Sequence, residues 1–208
     1  MGTGISEIAV RSGLLYYGDI EGDVVALDAR TGAPRWRSTL NTATEINEVG
    51  SPAVANGLVY VGVNSYSATS DTGRVLCALD ANTGALRWCL SARSHGGAIP
   101  TAGNGLVYAV AEGQLYAVDA VTGVKRWRRG IARIKAPLAL AAGVLYAGVT
   151  PVRGQRQVYA LNAATGETLK TVPLGSYSQG EIHSSPAIYR GSVYVGDTAG
   201  YLTALRLQ

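Results

Sequence analysis

Phenylalanine is absent from this 208-residue chain, methionine occurs once, cysteine twice, and only 15% of the residues carry a formal charge. Glycine fills 27 positions and tyrosine 12 against three tryptophans, a composition of turns and half-buried strands. The hydrophobic share of 47% excludes a disordered chain. Long apolar runs are also missing. The longest, residues 136–149, is interrupted by Pro137 and Gly143 and is too short for a bilayer, so no membrane span is expected. Residues 1–13 have neither the basic nor the apolar segment of a secretion leader, so no signal is expected within the chain; a processed or excised segment reads the same way. A length of 208 residues suits one core, and a single domain over 1–208, or a segment of a larger one, is expected.

Cys77 and Cys89 are too few for a closed zinc site and too far apart for a Cys-x-x-Cys redox motif. Both fall in one expected hairpin, over 74–80 and 85–90, nearly opposite each other. Two buried thiols are the favoured reading and a cross-strand disulfide the alternative, because bridge geometry is demanding. The net charge is +4. Part of the excess is gathered in Lys125, Arg126, Arg128, Arg129, Arg133 and Lys135. Arg126 and Arg128 flank Trp127 at strand spacing and project away from the indole's face, as charges on an outer strand do to block edge pairing. With no aromatic platform beside them, nucleic acid is not an expected partner.

Self-similarity is the strongest signal. A strand, a Gly turn and a second apolar strand recur five times, with turn glycines at 13, 57, 105, 143 and 191. A tyrosine stands three residues after each, at Tyr16, Tyr60, Tyr108, Tyr146 and Tyr194, separated by 44, 48, 38 and 48 residues. A hairpin follows in four copies: VVALDARTGAPRW, LCALDANTGALRW, LYAVDAVTGVKRW and VYALNAATGETLK. A fifth, YLTALRLQ, reaches the last residue before its turn.

The chemistry of that hairpin is readable. Asp28, Asp80, Asp119 and Asn162 open the turn, where a short polar side chain bonds nearby backbone N–H groups. Gly32, Gly84, Gly123 and Gly166 supply the positive φ that closes it. Ala26, Ala78, Ala117, Ala160 and Ala204 keep one face thin, so that Trp36, Trp88 and Trp127 fill the space beside a neighbouring sheet. In the fourth copy Leu169 is expected near the tryptophan position. Each copy reads as four antiparallel strands, and a lone sheet of about 40 residues cannot bury both faces. The expected fold is all-β: a propeller of five repeats, near 6–40, 50–90, 98–130, 135–173 and 183–208, the last without its outer strand.

These residues resemble the PQQ-like, or quinoprotein-type, propeller repeat, Ala-x-Asp-x-x-Thr-Gly-x-x-x-Trp. It stands here as Ala26, Asp28, Thr31, Gly32 and Trp36; as Ala78, Asp80, Thr83, Gly84 and Trp88; and as Ala117, Asp119, Thr122, Gly123 and Trp127. The resemblance implies blades locked by tryptophan stacking. It spans PQQ-dependent dehydrogenases, a non-catalytic lipoprotein of outer-membrane barrel assembly, and sensor domains of bacterial kinases, and it favours an extracytoplasmic location. The dehydrogenases are implied to use more blades, a Ca²⁺ site, a catalytic Asp and a vicinal disulfide on the quinone. In this sequence the cysteines are not vicinal and the blade motif uses all three tryptophans, so neither PQQ nor Ca²⁺ is expected.

A binding face is expected where the connections between blades gather, 39–50, 91–99, 129–136 and 175–185. They offer Glu45, Asn47, Glu48, His95, Arg133, Lys135, Glu181 and His183 as ligand-binding candidates. No catalytic residue and no metal site is assigned, because no Asp-x-Asp-x-Asp spacing supports Ca²⁺. The longer loops 64–73 and 150–157 are candidate partner surfaces. The reading is a non-enzymatic module presenting loops to a protein or ligand, with a protein partner or a second copy completing the ring; a degenerate PQQ-dependent dehydrogenase or quinone-binding sensor is the alternative.

Overall fold

The computed structural model describes residues 6–43, 45–67, 73–92, 98–111, 113–131, 134–150, 155–174 and 180–206, and every regular element in them is a β-strand. Sheet I contains β1 (Ala9–Arg11), β2 (Leu14–Gly18), β3 (Asp23–Asp28) and β4 (Pro34–Thr39). Sheet II contains β5 (Glu45–Ala55), β6 (Leu58–Ser67), β7 (Gly73–Asp80) and β8 (Leu86–Ala92). Sheet III contains β9 (Thr101–Gly103), β10 (Leu106–Ala111), β11 (Gln114–Asp119) and β12 (Lys125–Gly130). Sheet IV contains β13 (Ala139–Ala141), β14 (Val144–Val149), β15 (Gln157–Asn162) and β16 (Thr168–Pro173). Sheet V stops at three strands, β17 (Ala187–Tyr189), β18 (Ser192–Gly196) and β19 (Leu202–Arg206). Strands follow chain order across every sheet. The chain divides into two compact units, Met1–Glu112 with Val118–Lys125, and Gly113–Ala117 with Arg126–Gln208.

Turn chemistry fixes the register. The first hairpin of every sheet closes on two residues that both have positive φ: Ser12–Gly13, Asn56–Gly57, Asn104–Gly105, Ala142–Gly143 and Arg190–Gly191. This is the type I′ pattern, whose twist matches that of paired strands. In the later hairpin Asp28 Oδ1 accepts from the amides of Arg30 and Thr31 and from the Thr31 hydroxyl, and Gly32 N–H returns to the Asp28 carbonyl at 2.8 Å. A bulge between Ala26 and Leu27, repeated at Ala78/Leu79 and Ala160/Leu161, sets the alanine opposite the seam-filling residue.

In the first unit, sheets I and II meet face to face. Tyr16, Val24 and Ala26 pack on Val59, Val61, Cys77 and Leu79, with Trp36 against the cluster. The Tyr16 hydroxyl and the Trp36 indole N–H both donate to the Ala81 carbonyl, at 3.2 and 2.9 Å. Tyr60 and Trp88 repeat the arrangement on the Ala120 carbonyl, each at 3.2 Å. In the second unit Trp127 donates to the Ala163 carbonyl at 3.2 Å, and Tyr146 and Val158 pack on Ile182, Val193 and Val195. Four-stranded antiparallel sheets stacked through such faces are propeller blades, four of them complete and the fifth lacking its outer strand.

Three expectations are corrected. Cys77 and Cys89 face each other in the β7–β8 register and form a disulfide rather than two thiols. In the fourth repeat the residue opposite Ala160 is Lys170, four residues after Gly166 as Trp36 is after Gly32, and Leu169, skipped by the bulge, is exposed. Residues 45–50 and 64–67 are not connections: they pair as a ribbon, Glu45 opposite Ser67 through Val49 opposite Val63, that lengthens β5 and β6.

Candidate functional site

Of the eight connection residues singled out from sequence, the structure brings three together, all in the second unit. Lys135 lies four residues before β13, and Glu181 and His183 lie in the segment before β17. That segment is pinned from both sides. The Glu181 amide donates to Thr198 Oγ1 at 2.9 Å, and the Thr198 amide returns to the Glu181 carbonyl at 3.0 Å. Ile182 beside it is buried, and its amide donates to Thr150 Oγ1 at 2.9 Å. The Glu181 side chain is therefore aimed outward by a fixed backbone.

One oxygen, Glu181 Oε2, takes Lys135 Nζ at 2.6 Å and His183 Nε2 at 2.9 Å. The Lys135 ammonium, then the His183 ring, hold the Glu181 carboxyl down to about 2. A carboxylate held this low stays ionised and cannot serve as a general acid near neutral pH.

Asn47, Glu48 and Glu45 lie on β5 in the first unit. Asn47 is buried: its amide nitrogen Nδ2 donates to the Leu40 carbonyl at 2.6 Å, and its backbone N–H donates to Asn41 Oδ1 at 2.8 Å. That is a brace for the β4–β5 connection. Glu48 Oε2 accepts from Asn64 Nδ2 at 3.2 Å across the ribbon. Glu45 pairs opposite Ser67 in the backbone register. His95 and Arg133 lie outside the described residues. In the basic stretch, Arg129 donates to the Gly166 carbonyl at 2.7 Å, the role that Ser38 plays toward Gly84, so this arginine is part of a seam.

Two charged groups escaped the sequence reading. Asp19, Glu21 and Asp23 bring their carboxylates within 4.8 Å of one another, and Arg37 of β4 lies against all three. A metal would have to displace that guanidinium. The signal was the Asp-x-Glu-x-Asp spacing in the β2–β3 turn, which demands a cation but does not say which. Arg156 and Asp197 form a buried ion pair in the second unit. Asp197 repeats the turn of Asp19, its Oδ1 accepting from the amides of Ala199 and Tyr201 as Asp19 accepts from Glu21 and Asp23. A side-by-side reading of GDIEGD and GDTAGY reveals that turn. The arginine, distant in sequence, is not marked by it.

A groove of about 180 Å³ lies along the seam of sheets IV and V, lined by Tyr146, Val158, Ala160, Lys170, Val193 and Leu205 among others. Lys170 stands at its wall where sheets I, II and III have an indole. The residues do not fit a quinone floor: all three indoles donate to hairpin carbonyls inside seams, and the disulfide joins two strands rather than adjacent residues.

Comparison with known proteins agrees with this geometry. The profile of the family described as outer membrane protein assembly factor BamB matches residues 1–64 and 21–207. The outer membrane protein assembly factor BamB of Yersinia pestis is 30% identical over 218 residues, covering 97% of this chain and 50% of the relative. Among solved structures, BamB from Moraxella catarrhalis superposes with a TM-score of 0.67 at 24% identity, over 99% of this chain and 57% of that one. A europium-containing methanol dehydrogenase shares the fold, with a TM-score of 0.57 at 18% identity, over 81% of this chain and 41% of that one. The chain spans about half the length of the curated relatives it matches. Its repeats, seams and profile match together place it in the BamB family of PQQ-like β-propeller proteins.

Proposed function

We propose that this chain is a non-catalytic propeller scaffold that works outside the cytoplasm in the assembly of outer membrane proteins. Its contacts are with proteins, a second copy of itself included. The observation that carries the reading is the use made of reactive and aromatic groups. The indoles and the tyrosines Tyr16 and Tyr60 are spent on seams, while Lys135 and His183, the sequence-expected site residues that the structure brings together among those described, meet on the Glu181 carboxylate at the surface. The name of the Yersinia pestis relative supplies the process, and the disulfide supports an oxidising compartment. No helix among the described residues is long and apolar enough to cross a membrane, a statement that leaves β-barrels aside.

The test is genetic and quantitative. The chain is directed to the periplasm of a bacterium lacking its own family member, and the amounts of outer membrane proteins are measured. Restoration that is lost on charge reversal at Lys135 and Glu181 supports the scaffold. A folded, abundant chain that restores nothing overturns it. Titration with PQQ and Ca²⁺ tests the quinoprotein alternative: saturable quenching of tryptophan fluorescence would favour it, and an unchanged spectrum retires it.

A further inference from the structure

Each blade has two unlike faces, and the outermost blade at each end of the repeat array carries one of them bare. The face that carries the tyrosine, the thin alanine and the residue two before it is covered in the complete blades: Leu76 is 0% exposed in sheet II and Val158 2% in sheet IV. Leu202, at the same repeat position in sheet V, is 74% exposed. Ala187, Tyr189 and Ala204 share that face by register, through Ala187 opposite Tyr194, Tyr189 opposite Ser192, and Tyr194 opposite Ala204, and all three are exposed.

The opposite face is bare in sheet I. Val59 and Leu79 of sheet II are fully buried, whereas Leu15 and Leu27, their counterparts in sheet I, are half-buried, and Val10 beside them is 64% exposed. The hairpin tells the same story. Ala81, Ala120 and Ala163 are buried, and a Cβ on Gly84, Gly123 or Gly166 would strike an indole; Ala29 is exposed, and a Cβ on Gly32 would meet nothing within 4 Å.

We infer that sheet V of one copy docks on sheet I of a second copy, head to tail, through these two faces. The inference rests on the reading of the chain as a protein-contacting scaffold and names one partner. The exposed patches are the two halves of a contact that the protein makes within itself between sheets I and II, where Tyr16 and the flat Ala26 face receive Val59, Leu79 and the Ala81 carbonyl. In the docked pair Tyr194 meets the Ala29 carbonyl, and Leu202 and Ala204 cover Leu15 and Leu27. Unlike patches that fit each other make a heterologous contact.

Light scattering on the purified 208-residue chain, with analytical ultracentrifugation across a concentration series, tests the inference. A mass of at least two chains is expected. Leu202→Asp and Val10→Asp, both at exposed positions, are each expected to reduce the protein to one chain without changing its circular dichroism. An equimolar mixture of the two variants is expected to regain the two-chain mass, since one copy keeps its sheet V face and the other its sheet I face. A one-chain mass for the unsubstituted protein, an unaltered mass in either variant, or a mixture that stays at one chain overturns the contact. None of these results bears on the restoration of outer membrane proteins, so the two readings fail separately.

Discussion

The carbonyl of Ala120 accepts two side-chain donors at once, the Trp88 indole and the Tyr60 hydroxyl, each at 3.2 Å. The two rings stand 6.0 Å apart at a tilt of 41°. Burial, helped by the Asp119 charge, pushes the Tyr60 phenol up to about 12, so it remains a donor at any physiological pH. Truncating Trp88 to Ala removes a ring and one donor from this seam and is expected to lower stability by about 3 kcal/mol. Trp88→Phe keeps a six-membered ring but loses the pyrrole portion of the indole with its N–H, and is expected to cost less than the truncation, about 1–2 kcal/mol. Urea unfolding measures both, and equal losses from the two variants would show that the six-membered ring retained by Phe adds nothing to the seam.

Gly84 and Gly32 occupy the same hairpin position with nearly the same φ, 74° and 73°. Their surroundings differ: a Cβ on Gly84 would lie 2.6 Å from Trp36 Cε3, and one on Gly32 would meet nothing within 4 Å. Gly32→Ala is expected to cost about 1 kcal/mol, the left-handed backbone alone. Gly84→Ala adds overpacking against a fixed indole, about 1–3 kcal/mol more. Thermal unfolding of the two variants side by side separates conformational strain from collision.

These contrasts show what the sequence made legible. The Asp-x-x-Thr-Gly hairpins, the tyrosine three residues past each turn and the tryptophans were readable, because turn chemistry and strand alternation are local and repeated. The Cys77–Cys89 bridge was not settled, since cross-strand opposition depends on the register shifts that surround it. Lys170, not Leu169, holds the indole's position, and its spacing of four residues from Gly166, the same as Trp36 from Gly32, made that legible in the sequence. Of the site, Lys135, Glu181 and His183 were found as a list of polar connection residues, but their convergence on one oxygen needed the fold. Asn47 looked like a rim residue and is a buried brace, because the ribbon that lengthens β5 has no sequence marker.

The disulfide closes a short loop, with a sequence separation of 12 residues, inside the seam of sheets I and II. Chain-entropy arguments for a loop of this size give about 3 kcal/mol. Cys77→Ser/Cys89→Ser, or reduction by a phosphine, is expected to lower stability by about 2–3 kcal/mol. Since both sulfurs are tied in the bridge, alkylation should label the oxidised protein at neither cysteine, and at both once it is reduced and unfolded. Mass spectrometry before and after reduction checks the labelling, and calorimetry checks the stability.

Three ion-paired carboxylates contribute to the acid limb. Arg35 holds Asp28, Arg87 holds Asp80 and Lys135 holds Glu181, each down to about 2. These folded values lie below the ordinary 3.8 of Asp and 4.5 of Glu, so the stabilisation is complete above the ordinary values and is lost as pH falls toward about 2. Stability is expected to decline through this window. Asp80→Asn should flatten the decline, because the amide still accepts the two turn N–H groups, as Asn162 does from Ala164 and Thr165. Urea midpoints measured at steps from pH 5 to about 2 test this, and an unchanged slope in Asp80→Asn would remove the hairpin aspartates from the explanation.

Ala142 occupies the first position of a type I′ turn at φ 48°, where the sheets II and III counterparts are Asn56 and Asn104. Alanine meets the left-handed region with a Cβ and no side-chain hydrogen bond to offset it, whereas asparagine tolerates the region through local bonding. Ala142→Asn is therefore expected to stabilise the protein by about 0.5 kcal/mol, a gain that arises in the turn connecting β13 to β14. The gain should appear as slower unfolding or a raised midpoint with an unchanged denaturant slope. A loss of stability at this position would mean that the β13–β14 turn is not held in the I′ geometry, and would weaken the register that places Tyr146 opposite Ala139 and Ala160.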